Sequence, residues 1–225
     1  MGRGDFSRKG RAMFVPVVRV ASREDLESCL GSAVRILRRG GVVAYPTETV
    51  YGLGVDVSNE RAVSYLFQLK GREEGRPVLI IIPSTEAISR YAESVPESAR
   101  RLISTFWPGE LTIVCRARGT VSPLLTGGTG KIGVRLSSNF IATAICRAFG
   151  GAVTSTSANR SGSPPCTSVS QVLKVFPSGL SLVINGGSCT AEAGSTVVDV
   201  TGSPCRILRQ GALSREAIES VVPVF

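Results

Sequence analysis

Histidine is absent from this chain of 225 residues. That removes catalytic triads and acid–base pairs built on imidazole, together with the commonest metal ligand. Cysteine does not compensate. Cys29, Cys115, Cys146, Cys166, Cys189 and Cys205 are scattered without a C-x-x-C pair, so no zinc or other protein metal site is expected. Reduced, packed thiols in a cytoplasmic protein are the simplest reading. Long apolar runs are missing too. "VLIII" at Val78–Ile82 is closed by Pro83, far short of the roughly 18 to 20 residues that cross a bilayer. No segment joins a basic start to a long apolar stretch and a small-residue cleavage site, so neither membrane insertion nor secretion is expected. Aromatic residues are only 6% and form no clustered strand pattern, which disfavours a surface that stacks RNA bases.

What is present supports a folded core that meets anions. Hydrophobic residues reach 43% against 19% charged, enough apolar material for a sizeable core. The formal charge is +9, of which "MGRGDFSRKGR" supplies +3 through Arg3, Arg8, Lys9 and Arg11 against Asp5. Residues 1–13 read as a flexible basic arm, with Met13 a candidate start, and 14–225 as the domain. The remaining +6 suggests a nucleotide, phosphate or RNA partner.

The pattern of elements is mixed. A short strand is expected at Val17–Val20. Leu26, Leu30, Val34 and Leu37 mark a helix over Arg23–Arg39, ended by Gly40 and Gly41. Val42–Tyr45 is a strand, and Asn59 can cap a helix carrying Ala62, Val63, Leu66 and Phe67 on one side. Val78–Ile82 reads as a strand covered on both faces. Helices are expected at Pro96–Phe106, Asn139–Phe149, Ser168–Val175 and after Ser214. Further strands fall in "WPGELTIVCRA", Lys131–Leu136, Ala152–Ser155, Leu182–Ile184, Thr196–Val200 and Arg206–Leu208. The expected fold is a single α/β domain with a twisted, mixed β-sheet and flanking helices.

Four stretches, with a strand exit, carry the candidate chemistry. "KGREEGRP" places Lys70, Arg72 and Arg76 between a helix end and a strand. They are either a dipole-matched cap with a solvated loop, or a wrap for a polyphosphate. "TSTSANRSGSP" offers hydroxyls and Asn159 at a strand exit, as a plain loop or as donors to phosphate and sugar oxygens. "GGTGK" fails as a phosphate loop, because Leu125 and Ile132 occupy positions that need Gly and Ser or Thr. Its turn still leads into a strand bearing Arg135, whose plain reading is solvent exposure. Ser195, Thr196 and Arg209 sit at strand ends and are individually ordinary. "AYPTETVYGLG" follows a buried strand with Thr47, Glu48, Thr49 and Tyr51. It is read as a pocket wall at which glycines let the backbone turn close to a small substrate.

Taken together, "PTETVYGLG", "KGR…RP", "WPGELT", "GVRL", "STSANRSG", "NGG", "GSTVVDV" and "ILRQGAL" occur in an order and spacing that resembles the YrdC/Sua5 family over about residues 20 to 215. The resemblance implies a twisted α/β domain around a deep, positively charged cavity. It implies synthesis of L-threonylcarbamoyladenylate and diphosphate from L-threonine, bicarbonate or CO2, and ATP. The product would serve N6-threonylcarbamoylation of tRNA adenosine 37 by a separate downstream complex. Carried over by position, Thr47, Tyr51, Arg135 and Ser195 match threonine contacts. Lys70 and Arg72 match the cations facing the ATP phosphates and are the catalytic candidates. Thr126, Ser157, Asn159 and Arg209 match further ATP contacts. Mg2+ would arrive with ATP. The chain departs from the family at Glu73 and Arg76, where Pro and Lys are frequent, and in lacking a His that some members carry. It is read as the single-domain form, without the C-terminal extension. Glu48 either orients the Thr47 loop or is an ordinary helix-start carboxylate, and the latter is preferred. Two alternatives stay open: a double-stranded RNA-binding protein, and a family paralogue without synthase activity.

Overall fold

The apolar run around Tyr45 sets the layering. In the computed structural model, which describes residues 14–73, 75–189 and 194–225, side chains alternate along this run. Val42 and Ala44 join one hydrophobic cluster, Val43 and Tyr45 another. Ile80 and Ile82 repeat this against Ile81, so both segments are buried on both faces, as expected for Val78–Ile82. The period of two in a strand makes each segment a partition between two cores. The basic arm expected over residues 1–13 lies outside the described residues.

In chain order the elements are β1 (Val17–Arg19), α1 (Arg23–Arg38), β2 (Val43–Pro46), β3 (Tyr51–Gly54), α2 (Glu60–Lys70) and β4 (Ile80–Ile81). A 3-10 segment (Thr85–Arg90), α3 (Glu97–Phe106), β5 (Leu111–Arg116), α4 (Pro123–Thr126), β6 (Lys131–Arg135) and α5 (Phe140–Phe149) follow. The chain continues with β7 (Val153–Thr154), β8 (Thr156–Ser157), α6 (Val169–Val175), β9 (Leu182–Asn185), β10 (Thr196–Asp199), β11 (Arg206–Arg209) and α7 (Arg215–Glu219). The helix starts follow from capping chemistry. Ser22 and Asp25 form a reciprocal capping box, and Asn59, Asn139 and Ser214 each accept from backbone N–H groups of the first turn.

The expectation of one sheet needs correction. The strands form two mixed sheets, ordered β1-β9-β2-β3-β8 and β11-β10-β5-β6-β4-β7. The large cluster includes Ala44, Tyr51 and Leu53 of the first sheet with Ile80, Ile113 and Val134 of the second. The smaller one packs α1 and α5 against Val43, Tyr45, Ile81, Val153 and Ile184. The sheets are joined where β7 and β8 run in series. β7 pairs with β4 in one sheet, β8 with β3 in the other, and Ser155 alone separates them.

A second correction concerns "YGLG". Gly52 and Gly54 do not form a turn; they lie within β3, antiparallel to β2. Their role is space. A Cβ on Gly54 would sit 2.7 Å from the Tyr45 ring and 3.3 Å from the Thr154 carbonyl, so the buried Tyr45 ring takes the volume the glycine leaves. The turn itself is Thr47–Val50.

Candidate functional site

That turn is built by one hydroxyl. Thr47 Oγ1 donates to Val50 O (2.7 Å) and accepts from the backbone N–H groups of Thr49 and Val50 (3.2 Å each). It also lies 3.0 Å from Thr49 Oγ1. Short Thr side chains suit such local closure. The turn, the ends of β6 and β8, and Gly194 with Ser195 surround a small polar cavity. Thr47, Tyr51, Arg135, Ser157 and Ser195 all line it, so five of the ten residues singled out in the sequence share one wall-to-wall space. Tyr51 closes it with a hydroxyl that donates to Gly187 O (2.6 Å), and burial raises its phenol to about 12.

Arg135 is not the solvent-exposed residue of the plain reading; it is 3% exposed. Its Nε donates to Gly109 O (2.9 Å) and its Nη1 to Thr49 Oγ1 (3.4 Å). Its Nη2 stands 2.8 Å from Glu48 Oε1, an ion contact without a well-aligned hydrogen bond. Glu48 also accepts from Ser137 Oγ and from Ser138 N (3.0 Å), just ahead of the Asn139 cap of α5. Glu48 therefore opens no helix of its own. It ties the Thr47 turn to β6 and to the segment entering α5, and the preferred helix-start reading gives way to the orienting one.

Ser195 Oγ is 2.8 Å from Thr112 Oγ1 and accepts from Arg209 Nη2 (3.2 Å). Arg209 also donates to Ser195 O from Nε and Nη2 (3.2 and 2.8 Å). Burial depresses the Arg209 guanidinium pKa, and Arg135 repels it in the same direction. Two cations thus approach the same end of the cavity.

The second cluster begins on α2. Ala62, Val63, Leu66 and Phe67 form its buried stripe, and Lys70 occupies the next place in that 3–4 spacing. Lys70 is accordingly 2% exposed, and the cap-and-solvated-loop reading fails for it. Gly71 ends the helix in the left-handed region at φ 59°, which frees the following residues to turn away. Lys70 Nζ donates to the carbonyls of Ser157 and Asn159 (2.7 Å to Asn159 O) and to Asn159 Oδ1 (3.1 Å). Ser157 Oγ donates to the same Oδ1 at 2.6 Å. Burial lowers Lys70 to about 7, and Arg72 pushes in the same direction. Arg72 donates from Nη2 to Pro77 O (2.6 Å), while its buried Nε has no acceptor among the described residues. Burial, then Arg76, lowers the Arg72 pKa.

Glu73 pairs with Arg76 at 3.5 Å on an exposed surface, so both departures from the family pattern answer each other in solvent. Thr126 ends α4 and is buried, its Oγ1 donating to Pro123 O (3.2 Å). Gly127 presses its neighbour loop against Gly75: a Cβ there would lie 2.5 Å from Gly75 O. Thr126 is thereby brought to the Lys70–Pro77 loop and not to the small cavity.

Thr112 and Ser155 were not singled out in the sequence, and Thr49 was placed on the pocket wall without a role of its own. Ser155 had a readable signal, two residues from Ser157 along extended chain and so on the same side, and Thr49 had one in the short turn it shares with Thr47. Thr112 had none, because its partner Ser195 is 83 residues away. Among the described residues no group of three His, Cys, Asp or Glu is placed to hold a metal ion, and no helix is long and apolar enough to cross a membrane.

Comparison with known proteins identifies the family. A family model for the Sua5/YciO/YrdC domain, described as "Telomere recombination", matches residues 35–211. The threonylcarbamoyl-AMP synthase of Pyrococcus abyssi is 38% identical over 190 residues, 84% of this chain and 56% of that protein. That of Bacillus subtilis is 32% identical over 215 residues, 95% of this chain and 62% of the relative. The structure of P. abyssi Sua5 complexed with L-threonine superposes with a TM-score of 0.86 at 35% identity, covering 94% of this chain and 62% of that one. Escherichia coli YciO gives 0.79 at 26% identity, covering 91% and 98%. The chain therefore spans less than two thirds of the length of these Pyrococcus and Bacillus relatives.

Proposed function

The chain belongs to the Sua5/YciO/YrdC family, and on that premise we propose that it is an L-threonylcarbamoyladenylate synthase. The reaction takes L-threonine, bicarbonate and ATP. The threonine amine and bicarbonate give a carbamate and water; a carbamate oxygen then attacks the α-phosphorus of ATP, and diphosphate leaves. The attacking group comes from the substrates, so the protein needs no histidine and no nucleophile of its own. Its tasks are alignment and neutralisation of converging anions.

The observation that carries this reading is the contact of Ser195 with Arg209 beside Arg135. It joins the residues matched to threonine to one matched to ATP at a single point. In this reading Arg135 and Ser195 receive the amino acid, Tyr51 closes its pocket, and Thr47 shapes the wall. Lys70 and Arg72 face the phosphates, with Thr126, Ser157, Asn159 and Arg209 around the nucleotide. The buried, acceptor-less Nε of Arg72 supports an anion there, since such a donor gains a charge-assisted bond when a phosphate oxygen arrives. The described residues do not form a protein cage for Mg2+. The ion is assigned to the triphosphate and its water, and no step passes through it here. The product would leave for a tRNA-modifying complex in the cytoplasm.

Diphosphate release from ATP by the purified protein tests the proposal, with L-threonine and bicarbonate omitted in turn. Release that needs both is the expected result. Release without threonine, or none from folded protein that binds ATP, rejects it.

A further inference from the structure

Glu48 and Arg135 stand 87 residues apart in sequence and meet in the interior, with side chains 13% and 4% exposed. Such a pair is costly to desolvate and holds only where further partners complete it. Here they do. Ser137 Oγ and Ser138 N bind the carboxylate, and Gly109 O binds the guanidinium at Nε. Nη1 is left pointing to Thr49 and the cavity. With Nε and Nη2 both engaged away from the cavity, the guanidinium plane is fixed and one edge is presented.

We propose that Glu48 is a positioning residue that sets the L-threonine affinity of this site by holding Arg135, without itself touching substrate. The inference rests on the synthase reading above. A purely structural Glu48 would lower stability and disturb both substrates alike; a positioning Glu48 acts through Arg135 and on threonine alone.

A double-mutant cycle in the full chain separates these, using diphosphate release with KM for L-threonine and for ATP measured separately. Glu48→Gln is expected to raise the threonine KM about tenfold while the ATP KM stays within about twofold. In an Arg135→Met background, which removes the guanidinium but keeps volume, Glu48→Gln should add less than about twofold to the threonine KM. Equal rises in both KM values, or the same factor in both backgrounds, overturns the proposal. If Glu48→Gln does not fold, Glu48→Asp serves in the cycle; its shorter arm cannot reach Ser138 and Arg135 together, and the same non-additivity is required. A wild-type protein without threonine-dependent release rejects the synthase reading and this inference with it. Threonine-dependent release with additive effects rejects this inference alone.

Discussion

On one wall of the cavity Arg135 donates to Gly109 O, faces Glu48 and reaches Thr49. In the neighbouring cluster at the end of α2, which does not line that cavity, Arg72 keeps a buried Nε without an acceptor among the described residues, and Lys70 donates only to neutral oxygens. The first cation has its own carboxylate; the second pair has none among the described residues. A guanidinium already balanced by a carboxylate suits a zwitterion, which brings one charge of each sign. Buried Lys70 and half-buried Arg72 are in surplus until a polyanion arrives; burial first, and a neighbouring arginine second, depress both pKa values. On the proposed function, the amino acid and the triphosphate are thus sorted by how each of the two clusters manages its charge.

The contrast breaks most visibly at Arg135. Arg135→Ala leaves Glu48 buried without its partner, so the protein should lose about 3–5 kcal/mol of stability, measured by denaturant unfolding. A loss under about 1 kcal/mol would mean the pair is no better than a surface bridge. In the α2 cluster Lys70→Ala should leave stability less affected and cost about 100- to 1000-fold in diphosphate release, the scale of losing one charge-stabilising donor. Unchanged turnover would remove Lys70 from the phosphate site. Thr47→Ala opens the turn that presents Thr49, at about 1–2 kcal/mol, and should raise the KM for threonine well above any change for ATP. Equal changes would detach the turn from the amino-acid wall.

The smallest expected effect is that of pH. Lys70 lies near 7 in the folded chain against an ordinary 10.5, so it loses its proton as pH rises through neutrality, while a bound triphosphate favours the charged form. ATP affinity should therefore fall from about pH 7 to about pH 9, by at most about tenfold per unit for one group. ATP binding in that window should take up protons, readable by calorimetry in buffers of different ionisation enthalpy. Lys70→Arg should flatten the dependence. For folding the sign is opposite: the unfolded chain holds this proton longer, so the Lys70 contribution to stability rises with pH between the two values.

How much of this was legible in the sequence depends on the range of each interaction. α1, α2, α5 and α7, the last three capped by Asn59, Asn139 and Ser214, follow from local spacing and appear where expected. The burial of Lys70 was also legible, since it continues the stripe of Ala62, Val63, Leu66 and Phe67. The candidate residues were identifiable because whole motifs resemble the family. What they do to one another was not. Lys70 meets Ser157 and Asn159 across 87 and 89 residues, and Glu48 meets Arg135 across 87. No local period encodes such partners. The division into two sheets escaped for a related reason: β4, β7 and β8 each contribute two residues to their ladders, too few for alternation to show which sheet they join.

Those short strands have a consequence for how the molecule comes apart. The cavity lies at the seam where Ser155 passes the chain from one sheet to the other, its N–H bonded to Leu79 O beside β4. A molecule filling the cavity would touch Thr47 and Tyr51 from one sheet and Arg135 and Ser195 from the other. It would act as a rivet across a joint that the backbone crosses by one residue. Amide hydrogen exchange should then slow in β3 and β6 together when the substrates bind, as the seam between the two sheets is held closed.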